Sequence, residues 1–138
     1  MIKNLWSVLC QTVITDERTN SVSYINAIEN VIVSKIPFRF PTISLGTLWT
    51  KSTNEDERLK IRIKFVSPSN DEKILIEPDP IVLKLKNHRL NILMDGLLIE
   101  KEGLYKFIVE NLDGDQWKLA NEIFLNVSLD LLAQEVKK

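Results

Sequence analysis

The chain has 138 residues, 44% of them hydrophobic and 27% charged, which is the size and balance of one globular domain with a real core and not of a disordered chain. A formal net charge of -1 supplies no overall field for a polyanion, and 4 glycines and 5 prolines leave no linker or low-complexity tract. The single cysteine, Cys10, rules out an internal disulfide and points to a reducing, cytoplasmic setting.

Leu5 to Thr15 opens the chain as a β-rich segment, with Trp6, Val8, Cys10, Thr12 and Ile14 on one parity. Gln11 and Thr12 break its apolar run and Leu9 precedes Cys10, so neither a secretory nor a lipoprotein signal is expected. No stretch approaches the ~18 apolar residues of a membrane span. Asp16 to Asn20 reads as a turn and Ser21 to Ile28 as a return strand, giving an opening hairpin. Asn30 to Ile36 extends that hairpin or forms a separate edge strand. Pro37 and Pro41 bracket Phe38, Arg39 and Phe40, so this segment is a corner or an edge.

Thr42 to Thr50 follows as a strand carrying Ile43, Leu45, Thr47 and Trp49 on one parity. After the polar loop Ser52 to Arg58 comes the clearest alternation: Leu59, Ile61, Ile63 and Phe65 against Lys60, Arg62 and Lys64. Lys73 to Glu77 and Ile81 to Lys86 are short strands separated by Pro78 and Pro80, and Asn87 to Arg89 reads as a turn. Leu90 to Met94 is a further strand. Leu104 to Glu110 and Trp117 to Val127 form a closing hairpin around Asp113-Gly114, and the tail from Ser128 fits one or two helical turns. About eight or nine strands with turn signals every ~8–12 residues predict an all-β, antiparallel sandwich of immunoglobulin-like or C2-like type, a single domain over residues 1–138. A small closed barrel is the structural alternative.

The opening hairpin, Pro37-Phe38-Arg39-Phe40-Pro41, the alternating strand and Gly103-Leu104-Tyr105-Lys106-Phe107 together resemble a family of small uncharacterised microbial and phage-associated β-sandwich proteins. The similarity spans Trp6 to Val127. It implies the fold and carries no activity, so no functional residue is transferred.

Chemistry-bearing residues are few. His88 is the lone histidine, so a nucleophilic site would need it beside Cys10, which reads better as a small buried hydrophobe. One histidine and one cysteine cannot make a zinc site. Loop acids at Glu55, Asp56 and Glu57, at Asp71 and Glu72, at Glu77 and Asp79, and at Asp113 and Asp115 are compatible with calcium, though solvated turns have the same composition. Lys60, Arg62 and Lys64, with Lys84 and Lys86, form a basic face only if their strands are neighbours. Trp117, Phe38 and Phe40 are the candidate contact surface, whereas Trp6 and Trp49 are expected in the core. No catalytic constellation and no cofactor motif is present. The expectation is a non-enzymatic protein-interaction or assembly module, a homo-oligomer or partner-binding subunit. The alternatives are a calcium-assisted carbohydrate or lipid-headgroup binder and a nucleic-acid accessory protein.

Overall fold

A computed structural model describes residues 1–130. It is a sandwich of two sheets, with thirteen strands and no helix among the described residues. One sheet has the order β10-β5-β1-β2, built from β1 (Ile2–Thr15), β2 (Val22–Ala27), β5 (Thr42–Lys51) and β10 (Asn87–Asp95). The other has the order β3-β13-β12-β7-β8, from β3 (Asn30–Val33), β7 (Ile61–Val66), β8 (Glu72–Ile76), β12 (Gly103–Asp113) and β13 (Gln116–Leu129). Two ribbons complete it: β4 (Phe38–Arg39) with β11 (Leu98–Ile99), and β6 (Glu57–Leu59) with β9 (Ile81–Leu83). Such short ribbons carry too few residues for a period, which is why the strands outnumber those expected. No helix of the described residues is long and apolar enough to cross a membrane.

The core is the expected alternation made three-dimensional. Ile61, Ile63 and Phe65 of β7, Tyr105, Phe107 and Val109 of β12, and Leu125 and Val127 of β13 pack against Leu9, Ile43, Leu45, Trp49, Ile92 and Met94 of the facing sheet. Phe65 stacks on Tyr105, with centroids 5.2 Å apart and planes at 12°. Trp49 is wholly buried and still satisfied, because its Nε1–H donates to Thr47 Oγ1 at 2.8 Å. The hairpin of β12 and β13 turns at Gly114, whose φ of +65° suits a left-handed tip.

Of the two places open to it, Asn30 to Val33 takes that of a separate edge strand, leaving the opening hairpin for the opposite sheet, parallel to β13. Four expectations need correction. Asn87 to Arg89 is not a turn: it pairs with Thr50, Trp49 and Leu48 and begins β10, cross-strand pairing having overridden its polar composition. Leu59 to Val66 is two strands, since β6 leaves the sheet to pair with β9, although Leu59 remains in the core. Trp6 is not a core residue. A bulge between Asn4 and Trp6 shifts the parity of β1 and turns Trp6 to the outer face. Asn4 stabilises that bulge by donating from Nδ2 to the carbonyls of Trp6 and Leu48, both at 3.1 Å. Ser128 and Leu129, expected to start a helix, close β13, and the rest of that segment lies outside the described residues.

Candidate functional site

His88 and Cys10 are not brought together. Both strands flank β5, but His88 is in register with Trp49 on the inner face and Cys10 with Ser44 on the outer parity of β1. Burial pushes the Cys10 thiol up, only partly offset by its contact with the Thr12 carbonyl. Such a thiol is a poor nucleophile.

The loop acids stay apart: among the described residues no three His, Cys, Asp or Glu side chains gather as a metal site. Asp113 pairs instead with Lys118 Nζ at 2.7 Å, whose hydrogen bond and charge hold its carboxyl below the usual range.

The basic face does not assemble. Lys84 and Lys86 lie in the segment between β9 and β10, whereas Lys60, Arg62 and Lys64 belong to β7 and its approach in the other sheet. The latter three are also neutralised. Lys60 reaches Glu77 at 3.4 Å, and Arg62 and Lys64 share Glu110 at 2.7 and 3.2 Å. Glu110 is largely buried beneath them. Burial pushes its carboxyl up, but the hydrogen bonds and charges of Arg62 and Lys64 outweigh that and hold it below its ordinary value.

The proposed aromatic ridge is also corrected. Phe40 is buried and Phe38 half-buried, the two rings meeting edge-on at 5.0 Å. Backbone bonds between Phe40 and both Leu97 and Gly96 pin the segment onto the end of the core. Trp117 does lie on the outer face of its sheet, half-covered by the Arg62 guanidinium 4.2 Å from its ring centroid.

Two surfaces escaped the sequence. On the outer face of the four-stranded sheet, the far half of the β1–β2 hairpin lies across β5 and β10. Tyr24 meets Trp6 edge-on at 5.2 Å and donates from its hydroxyl to Asn91 Oδ1 at 2.9 Å. Its ring occupies the space a side chain at position 46 would fill: a Cβ on Gly46 would sit 2.2 Å from Tyr24 Cε1. Arg89 lies beside both rings, 5.7 and 5.8 Å from their centroids.

The second surface is the open side of the sandwich. Among the described residues, β8 pairs only with β7 and β10 only with β5, so each sheet ends there in an unpaired edge. A cleft between the two edges is lined by Lys73, Leu75 and Ile76 of β8 and by Leu93, Met94 and Asp95 of β10. Ile74, Ile76, Val82, Leu85 and Leu93 are all exposed along this part of the chain, Leu85 at 72% and Leu93 at 68%. No sequence pattern marks this surface, because an edge is a property of pairing. The run of aliphatic residues from 74 to 93 was the available hint.

A family of unknown function (DUF6941) matches residues 5–123. No curated protein sequence matches the chain. Among solved structures, it is similar to the alkylpurine DNA glycosylase AlkC of Pseudomonas fluorescens bound to DNA containing an abasic site analog, with a TM-score of 0.54 at 8% identity over 92% of this chain. It is also similar to a β-glucosidase from Listeria innocua, with a TM-score of 0.51 at 6% identity over 93% of this chain. The chain spans 30% and 16% of the lengths of those two proteins, and the likeness is one of fold.

Proposed function

We propose that this chain, which belongs to that family of unknown function, is a non-enzymatic protein-interaction module whose contact surface is the open side of the sandwich. The observation that carries the reading is the pair of unpaired edges, β8 and β10, flanking one cleft lined by the exposed Ile76 and Leu93. Unpaired strand edges present rows of backbone donors and acceptors, and proteins either protect them or use them for strand addition. Exposed aliphatic side chains beside such an edge add the apolar contact that most interfaces need at their centre. The two structural neighbours lend general support: in each, a sandwich of this kind is a minor part of a larger enzyme, and the two enzymes are unrelated in activity.

The test is retention of protein from an extract of the native host on the immobilised chain. Leu93→Lys and Ile76→Lys place charge on the open side. Leu119→Lys places it on β13, away from that side. Partner retention lost in the first two variants and kept in the third is the expected result. Equal retention by all three would overturn the assignment of the surface.

A further inference from the structure

We propose that β10 is a self-pairing edge, adding antiparallel to β10 of a second copy of this chain so that the two four-stranded sheets join across a two-fold axis at Ile92. The inference rests on the open-side reading above and names the occupant of one of its edges.

The backbone is set for it. The Lys86 carbonyl accepts from the Lys51 N–H of β5, and the β10–β5 register runs on without a shift from Asn87 opposite Thr50 to Asp95 opposite Thr42. Backbone groups in an antiparallel ladder alternate between its two sides. The N–H and C=O groups of Asn87, Arg89, Asn91, Leu93 and Asp95 therefore point away from β5, toward the open edge. Edges that must stay single are usually broken by a bulge, a proline or a lysine. The sequence of β10, Asn-His-Arg-Leu-Asn-Ile-Leu-Met-Asp, has none of these.

The side chains are self-complementary in one register. Arg89 and Asp95 stand at equal distances on either side of Ile92 and share the outer face. An antiparallel copy centred on Ile92 sets each Arg89 opposite the Asp95 of the other copy, twice by symmetry. The same register sets Leu90 opposite Met94 and Ile92 opposite itself on the inner face, so the two apolar layers become continuous. Among the described residues neither has an opposite charge as its partner, and the Arg89 guanidinium lies beside the Trp6 and Tyr24 rings. Arg89 reaches the Tyr24 hydroxyl at 3.4 Å, and Asp95 accepts from Thr42 Oγ1 at 3.2 Å.

The experiment is a concentration series of the full chain by light scattering or sedimentation. The wild type is expected to reach twice the monomer mass. Arg89→Asp and Asp95→Arg each set like charges opposite one another and are expected to remain monomeric. Mixing the two variants in equal amounts restores opposite charges across the pair and is expected to recover the doubled mass. Leu93→Pro is the second arm: it removes an N–H that faces the open edge and leaves the ladder to β5 intact, so a folded monomer is expected. A wild type that is monomeric at high micromolar concentration overturns the proposal. So does a dimer that persists through these substitutions, or a mixture that stays monomeric. A monomeric wild type whose partner retention is still abolished by Leu93→Lys would overturn self-pairing alone, whereas retention indifferent to Leu93→Lys and Ile76→Lys removes the open-side reading beneath it.

Discussion

Replacing Glu110 with Gln removes the one carboxylate shared by Arg62 and Lys64. All three side chains are mostly buried, with 14% of Glu110, 18% of Arg62 and 20% of Lys64 exposed. An exposed ion pair contributes up to ~1 kcal/mol, and orphaning a fully buried charge costs ~3–5 kcal/mol. Arg62 then loses its carboxylate and Lys64 keeps only the more exposed Glu72 at 3.9 Å, so the cost falls between those limits, at about 2 kcal/mol. For a chain of this size that lowers the melting temperature by roughly 8 °C. The pH dependence has a definite sign. Arg62 and Lys64 hold the folded carboxyl below its ordinary 4.5, so its stabilisation is fully present above that value and is lost as pH falls through the lower, folded value. Thermal unfolding of wild type and Glu110→Gln from neutral to acid pH should show a full gap at neutrality that closes below about 4.5. Equal melting temperatures at neutral pH, or a gap unchanged by acid, would refute the reasoning.

Gly46→Ala drives a Cβ to within 2.2 Å of Tyr24 Cε1, so the Tyr24 ring must leave its seat. A loss of about 1–3 kcal/mol and an altered Trp6 fluorescence environment are expected, with most of the loss absent when Tyr24 is already Ala. Ile63→Ala, at a fully buried position in β7, is expected to cost about 2–5 kcal/mol in urea unfolding. Leu119→Ala, 60% exposed, should stay within about 0.5 kcal/mol of wild type. Cys10 has no exposed surface and a thiol raised by burial, so a thiol reagent should label it slowly in the native protein and rapidly in denaturant.

What the sequence disclosed follows from what each feature depends on. The alternation of Leu59, Ile61, Ile63 and Phe65, and of Ile43, Leu45 and Trp49, is local and so was readable as inward-facing core. The closing hairpin was readable because Asp113-Gly114 fixes its tip. Trp6 was misread because a single bulge residue reverses parity, and no residue type signals the bulge; Asn4, which fills it, is an unremarkable polar residue. Asn87-His88-Arg89 was misread because its strand state is imposed by β5. The basic stripe failed because Glu110, distant in sequence, lies across two of its members. The open side left only the aliphatic run from 74 to 93 as a hint, because which strands lack a neighbour follows from the order of the whole sheet.

The account's central claim is that contacts are made along the unpaired edges and not on either outer sheet face. Residue-resolved amide hydrogen exchange on the wild-type chain, dilute and then concentrated or partner-bound, measures this most directly. Slowed exchange at Arg89, Asn91 and Leu93 of β10 on association is the predicted result. Association that leaves those amides as fast as before, with slowing instead among the strands beneath Tyr24 or Trp117, would contradict it.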